Sequence, residues 1–69
     1  MKIIFDTYAW IEYFKGSEKG QIVKNYLGDN EILTPSVVLL EISYKADSEG
    51  WDLKKHLNFI KLNSKIIGF

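Results

Sequence analysis

Residues 2–14, KIIFDTYAWIEYF, decide the fold of this chain. The run Lys2–Phe5 is apolar on both faces, which is typical of a buried parallel strand. The next residue is an acid, Asp6, and from Tyr8 to Phe14 apolar residues recur at helical spacing. We predict that Thr7 caps this helix. A strand that ends in a carboxylate and continues as a helix indicates an open α/β sheet, whose ligands bind at the carboxyl ends of the strands.

The rest of the chain repeats this alternation of strand and helix. Further strands are predicted at Glu31–Thr34 and Lys65–Phe69, and helices at Ser17–Gly28, at Pro35–Ser48 with Thr34 as cap, and from Trp51 to a break at Asn63-Ser64. The order β-α-α-β-α-α-β indicates a parallel sheet with right-handed connections. We therefore predict a single domain over residues 1–69, with a three-layer α/β/α fold and a short parallel sheet. Three short strands leave a parallel sheet poorly covered, so we expect a larger domain of which this chain is an incomplete part.

Composition narrows the classes of function. The chain has 69 residues, no cysteine, and nine lysines balanced by nine acids. Disulfides, thiolate metal sites and cysteine nucleophiles are therefore excluded. Zero net charge provides no global attraction for nucleic acid, so any RNA contact is local. No apolar run is long enough to span a membrane, and the opening residues do not form a signal peptide, so we predict a cytoplasmic protein.

Two carboxylates stand in apolar surroundings. Asp6 ends the first strand, and Glu41 lies within the run Val37–Ile42 of the third helix. Adjacent parallel strands bring the early turns of that helix near the tip of the first strand, so both acids can point into one crevice. Two carboxylates there repel each other unless a divalent cation lies between them. Oxygen ligands without His or Cys favour Mg²⁺ or Mn²⁺ over zinc.

Each acid also has a structural interpretation. Aspartate is a preferred N-cap residue, and Asp6 would then cap the helix that follows it. Glu41 and Lys45 form an i,i+4 pair in the favourable orientation, which suits a solvent-exposed helix face. Helix chemistry alone favours the ion pair for Glu41. The presence of both acids at one edge of the sheet shifts the balance towards a metal site.

The opening residues 2–14 resemble the start of a PIN domain, the fold of VapC-type toxin ribonucleases. Residues 32–42, ILTPSVVLLEI, resemble that family's second motif. The resemblance implies metal-dependent endoribonucleolytic cleavage of RNA by a water activated on Mg²⁺ or Mn²⁺. It makes Asp6 a metal ligand, Glu41 a second member of a catalytic acidic cluster, and Thr7 an assisting residue. It also implies an antitoxin protein partner and a homodimer.

The resemblance covers the N-terminal half of a PIN domain, and the family carries further aspartates in its second half. Asp47, Glu49 and Asp52 come too early in the order of elements to be those aspartates, and we interpret them as caps and surface charge. Two other functions therefore stay open. In the first, the chain is a catalytically silent, truncated PIN fragment that acts as an interaction or structural module. In the second, it is a small α/β binding domain without a metal.

Other side chains receive structural interpretations. The sole histidine, His56, is expected at the surface or half-buried. The aromatic side chains of the first helix are assigned to core packing rather than to stacking on RNA bases. These are Tyr8, Trp10, Tyr13 and Phe14. The lysines of the fourth helix are interpreted as solvated rather than bound to phosphate.

Overall fold

A computed structural model describes residues 1–68 of the chain. The strands are β1 (Lys2–Ile4), β2 (Glu31–Pro35) and β3 (Lys65–Ile67). The helices are α1 (Thr7–Lys15), α2 (Glu18–Leu27), α3 (Ser36–Glu49) and α4 (Leu53–Asn63). The predicted α/β class and order of elements are confirmed. Phe69, which the prediction assigned to the last strand, lies outside the described residues.

The three strands form one parallel sheet in the order β1-β2-β3. Ile3 pairs with Ile32, and Thr34 pairs with Ile66, so these four side chains share one face of the sheet. On β2 both members of the set are buried, Ile32 at 2% exposed and Thr34 at 0%. The alternate position Ile4 points to the other face and is 62% exposed. One face of the sheet therefore packs on the core, and the other does not.

All four helices belong to one layer. They contact one another in the order α2, α1, α3, α4, and the Cα atoms span 33 × 32 × 16 Å. Two successive right-handed crossovers in the same direction place their helices on the same face of the sheet. Residues 1–68 thus form one helical layer on one sheet. The second helical layer of the predicted α/β/α arrangement is not formed by the described residues.

The core lies between the helices and the sheet, and Trp10 of α1 is at its centre. The Trp10 side chain is fully buried and packs edge-on against Phe5 and Phe59, with ring centroids 5.1 and 6.2 Å away. The indole and two hydroxyls form a polar chain inside this apolar core. Trp10 Nε1 donates to Thr34 Oγ1 at 3.1 Å, and Thr34 donates to Ser64 Oγ at 2.8 Å.

The chain of hydrogen bonds ends on the backbone, where Ser64 Oγ donates to the carbonyl oxygen of Ile60 at 2.7 Å. Each donor therefore has an acceptor, and no buried side-chain polar atom within residues 1–68 lacks a partner. An unpaired buried donor would cost roughly 1–3 kcal/mol. The polar chain connects α1, β2 and the end of α4, three elements that are distant in sequence.

The start of α1 differs from the prediction. Asp6, not Thr7, is the N-cap residue, and its Oδ1 accepts a hydrogen bond from the Ala9 N–H at 2.8 Å. The alternative interpretation of Asp6 as a helix cap is therefore confirmed. Thr7 is instead the first residue of the helix.

The start of α3 also differs. Thr34 was predicted to cap this helix, but it belongs to β2 and its side chain is buried in the core. Pro35 was predicted as the first helical residue, but it is the last residue of the strand. The helix begins at Ser36 without a side-chain cap. Its end agrees with the prediction, because Gly50 stops it with a left-handed φ of 70°.

The contact between α1 and α2 is organised by the carboxylate of Glu12. Glu12 is only 8% exposed, and its side chain accepts a hydrogen bond from Ser17 Oγ. The same Ser17 Oγ accepts from the Gly20 N–H at 3.0 Å and so caps α2. The hydrogen bond from Ser17, and next the charge of Lys15, lower the pKa of Glu12 below its ordinary value.

The close approach of these helices depends on Gly20. A Cβ atom there would lie 2.1 Å from the carbonyl oxygen of Glu12, a distance that requires the two backbones to separate. Gly28 at the end of α2 is a matched position with ordinary φ of −78° and no heavy atom near its virtual Cβ.

We expect Gly20→Ala to lower the free energy of unfolding by roughly 1–3 kcal/mol, because an added methyl in a packed contact forces the backbone to shift. The control Gly28→Ala should be neutral or stabilise by roughly 0.4–1 kcal/mol, because alanine restricts the unfolded chain. Urea unfolding followed by circular dichroism measures both. Equal effects of the two substitutions would show that α1 and α2 are not in close backbone contact.

The lowered pKa of Glu12 predicts a pH dependence of stability. A carboxyl whose folded pKa is lowered stabilises the fold above its unfolded pKa, and this contribution is lost as the pH falls through the folded pKa. Glu12→Gln should therefore reduce stability at pH 7 and flatten the loss of stability between about pH 5 and the acid limit. The control is Glu18→Gln, in the exposed first turn of α2. Thermal unfolding midpoints measure the effect across this pH range. Equal changes in both variants would contradict the lowered pKa of Glu12.

Candidate functional site

Strand β1 places Asp6 at the carboxyl edge of the sheet. The Phe5 N–H donates to the carbonyl oxygen of Leu33 at 2.9 Å, so pairing with β2 continues up to the residue before Asp6. Because β2 is parallel to β1, α3 leaves the sheet at this same edge. Helices α1 and α3 therefore start from adjacent strand ends. The two helices are in contact.

The central contact of the site joins these two helices. Thr7 Oγ1 donates a hydrogen bond to Glu41 Oε1 at 2.6 Å, across 34 positions of sequence. Such a length is typical of a hydroxyl bound to an ionised carboxylate. Asp6 is the immediate neighbour of Thr7. The structure thus brings Thr7 and Glu41 into direct contact, and it brings Asp6 to the same end of α1.

Each carboxylate uses one oxygen within the fold. Glu41 Oε1 is held by Thr7, and Asp6 Oδ1 is held by the Ala9 N–H. Within residues 1–68, Glu41 Oε2 and Asp6 Oδ2 accept no hydrogen bond, and neither acid has a lysine partner. Both side chains are exposed. Two oriented carboxylates therefore remain accessible without a positive charge to neutralise them.

The ion pair proposed as the alternative for Glu41 is wrong. Lys45 Nζ lies 2.9 Å from Glu49 Oε1, one turn further along α3. The hydrogen bond and charge of Lys45 lower the pKa of Glu49. Glu41 instead accepts the hydrogen bond from Thr7. This leaves the charge of Glu41 uncompensated.

The donor set suits a hard divalent cation. Mg²⁺ is commonly bound through one or two carboxylates, with water and substrate phosphate oxygens in the remaining positions. Asp6 and Glu41 offer two carboxylate oxygens of this kind. Within residues 1–68, no group of three or more His, Cys, Asp or Glu side chains is arranged to hold a metal ion. The described part of the chain therefore contributes a pair of acids rather than a complete cluster.

A shallow cavity of about 420 Å³ lies beside the Thr7–Glu41 contact. It is lined by Thr7, Ile11, Glu41, Tyr44, Lys45 and Ser48. The lining therefore combines apolar side chains with the Glu41 carboxylate and the Lys45 amine. Sequence reasoning missed Tyr44 as a member of this site. The available signal was its position three residues after Glu41, which places both on the same side of a helix.

A larger cavity of about 870 Å³ lies among α1, α2 and α4 and contains none of the predicted site residues. His56 is on its wall, half-buried as predicted, with its ring 4.1 Å from Phe14 and stacked on Trp51 at 5.3 Å. Its Nδ1 lies 2.8 Å from the carbonyl oxygen of Asp52. These contacts give His56 a packing role. The exposed Lys54 and Lys55 line the same cavity, away from Glu41.

The aromatic residues of α1 divide between core and surface. Trp10 is buried, and Tyr13 and Phe14 are partly buried against the core, as predicted. Tyr8 is 55% exposed, contrary to the prediction, and its hydroxyl accepts a hydrogen bond from Lys19 Nζ at 3.1 Å. This bond raises the pKa of Lys19 and connects the outer surfaces of α1 and α2.

Comparison with known proteins gives one family match. The family model of the PIN domain matches residues 3–67. Searches among curated proteins and among solved structures gave no match. Within residues 1–68, no helix combines the length and apolarity needed to cross a membrane.

The capping and ligand roles of Asp6 can be separated by substitution. Asn caps a helix about as well as Asp, whereas Ala removes the cap at a cost of roughly 0.5–2 kcal/mol. Asp6→Asn should therefore keep the stability of the fold in the absence of metal, and Asp6→Ala should lower it. Urea unfolding in EDTA measures the difference. A loss of equal size in both variants would contradict the capping role.

Proposed function

The chain belongs to the PIN domain family, whose members are typically nucleases, and from this premise we propose that it is a metal-dependent endoribonuclease of the VapC toxin kind. The observation that carries the proposal is the hydrogen bond between Thr7 and Glu41 beside Asp6. It connects the exposed Glu41 carboxylate to the residue that follows Asp6, at the edge of the sheet where α/β proteins bind ligands. The Glu41 carboxylate is exposed, and Lys45 pairs with Glu49 rather than with Glu41.

Asp6 and Glu41 would hold Mg²⁺ or Mn²⁺ through the oxygens that the fold leaves free. When bound, such an ion lowers the pKa of a coordinated water and neutralises charge on a phosphate. Thr7 orients the carboxylate of Glu41 by its hydroxyl, so the free oxygen points in a defined direction. The N-terminus of α1 adds a partial positive charge at Thr7, which favours an anionic phosphate at this position.

Electrostatics gives the cation a second role in this proposal. The chain has no net charge, so it does not attract RNA over a long distance. Two uncompensated carboxylates would repel a phosphate backbone at short distance. A bound divalent cation reverses the local sign and permits a phosphate to approach Glu41 and Asp6. Binding of RNA is therefore expected to depend on metal even before any bond is cleaved.

The proposed partners follow from the toxin resemblance of residues 2–14 and 32–42. They are an RNA substrate, an antitoxin protein and a second copy of the chain, in the cytoplasm. Exposed apolar side chains are available for protein contacts on α3, where Val37 is 52% exposed and Leu40 is 54% exposed. We propose these two side chains, which do not line the cavity at Glu41, as the antitoxin contact.

A second candidate function is a catalytically silent PIN module that acts through protein contacts. It is favoured by the absence, within residues 1–68, of a third carboxylate near Asp6 and Glu41. Mg²⁺ held by two carboxylates still exchanges its remaining waters, but positioning of the attacking water then depends on fewer protein groups. The two candidates differ in whether metal binding leads to cleavage.

We expect Mn²⁺ or Mg²⁺ to raise the melting temperature of the protein and to support cleavage of single-stranded RNA. A free metal concentration of about 100 Kd stabilises by roughly 2.7 kcal/mol, which is an increase of about 10–20 °C for a domain of this size. Asp6→Asn and Glu41→Gln should abolish the increase and reduce kcat by about 100-fold or more. Differential scanning fluorimetry and a gel assay of labelled RNA measure these effects.

The matched control is Asp47→Asn, an exposed carboxylate on α3 that does not line the site. It should keep both the thermal shift and the cleavage. A thermal shift without cleavage would support the silent module. No thermal shift with either metal would overturn the nuclease proposal and leave a binding domain without a metal.

A further inference from the structure

Helix α3 presents an aromatic ring that the packing of the fold does not explain. Tyr44 is 69% exposed and belongs to neither the core cluster nor its partly buried margin. It lies on α3, the longest helix of the described residues. An exposed tyrosine at one position is ordinary, but this one forms a wall of the cavity beside Glu41.

The cavity has both apolar and polar lining residues. Ile11 and Tyr44 are its aliphatic and aromatic lining residues, and its polar lining residues are Thr7, Glu41, Lys45 and Ser48. The cavity, of about 420 Å³, is shallow and open, so it offers one face to a ligand and does not enclose it. A ligand that combines an apolar group with a charged group at short distance matches this lining.

The spacing along α3 matches this requirement. Tyr44 follows Glu41 by three residues, which is a rise of about 4.5 Å and nearly one turn. The ring therefore stands beside the carboxylate rather than behind the helix. A nucleotide has the corresponding arrangement, since its base is a flat ring connected through a sugar to a phosphate.

We propose that Tyr44 is a stacking platform for a base of single-stranded RNA whose adjacent phosphate lies at Glu41 and Asp6. The inference rests on the proposed function, because it places the phosphate at the proposed cation site. Stacking on tyrosine requires an unpaired base with a free face, so the substrate is single-stranded. It reads no hydrogen-bond pattern of the base, so the contact tolerates all four nucleotides.

A protein partner is the competing occupant of this surface. Val37 and Leu40 of α3 are also exposed and suit an apolar partner. A protein that covered Tyr44 would, however, cover Glu41 in the same cavity and remove an uncompensated carboxylate from water, which is costly. RNA brings phosphate and its associated cation to that carboxylate. The position of Tyr44 within the cavity therefore favours the nucleotide.

The test measures binding of a short fluorescein-labelled single-stranded RNA by anisotropy, with Ca²⁺ in place of Mg²⁺ to limit cleavage. Tyr44→Ala should weaken binding by about 5- to 150-fold, the range for loss of one base-stacking contact. Tyr44→Phe keeps the ring and should bind within about twofold of the unchanged protein. Leu40→Ala is the matched control, since Leu40 is exposed on the preceding turn but does not line the cavity.

The outcomes separate this inference from the proposed function. Cleavage by the unchanged protein with equal binding by Tyr44→Ala would overturn the stacking role and leave the nuclease intact. Tyr44-dependent binding without cleavage in Mg²⁺ or Mn²⁺ would support stacking and overturn the nuclease. Failure of the unchanged protein to bind the RNA overturns the stacking role.

Two further measurements exclude other causes. The first measurement uses a duplex RNA. Tyr44→Ala should weaken binding of the single strand and leave binding of the duplex unchanged; an equal effect on both would overturn the stacking role. Sizing chromatography tests the protein partner. A change of oligomeric state in both Tyr44→Ala and Leu40→Ala, with RNA binding unaltered, would assign the surface to a second copy and overturn the inference.

Discussion

The hydrogen bond from the Trp10 indole to Thr34 is the constraint on which the arrangement of this small domain depends. Both side chains are fully buried, so the bond cannot be exchanged for water without opening the core. It requires α1 to lie across β2 in one orientation, because only one edge of the indole carries a donor. Ser64 continues the connection to the end of α4. An apolar core of this size allows several packings of its helices, whereas a satisfied buried polar chain favours one.

The candidate site follows from that orientation. Trp10 is one turn after Thr7, so a helix held by Trp10 also holds the Thr7 hydroxyl in place. Helix α3 begins directly after β2, at Ser36, without a connecting loop. The position of Glu41 relative to the sheet is therefore determined by helix geometry alone. The Thr7–Glu41 hydrogen bond at 2.6 Å is the result of two rigid connections to the same strand.

Much of the fold was predictable because strand and helix signals in this chain are local. Apolar runs bounded by turn residues indicate the strands, and Ser17, Gly28 and Gly50 mark helix ends by their own chemistry. Two of the errors concern side chains whose role depends on packing against another element, whereas the cap of α1 was misassigned by one residue within a local motif. Threonine is a common helix cap, but the Thr34 hydroxyl accepts a hydrogen bond from the Trp10 indole, 24 positions away. Glutamate usually lies at the surface, but Glu12 is buried by Ser17 and the approach of α2.

The same distinction applies to the site. Sequence by itself determined the α/β class, the order of the elements, and the two acids at one edge of the sheet, because strand ends and carboxylates are read from adjacent residues. Only the tertiary structure decided how the acids are used. Helix spacing allows Lys45 to pair with Glu41 or with Glu49. In the fold Lys45 pairs with Glu49, and Glu41 accepts a hydrogen bond from Thr7 of another helix. Asp6 is both cap and exposed carboxylate, since one oxygen suffices for the Ala9 N–H. Local spacing limits which contacts are possible, and packing between distant segments selects among them.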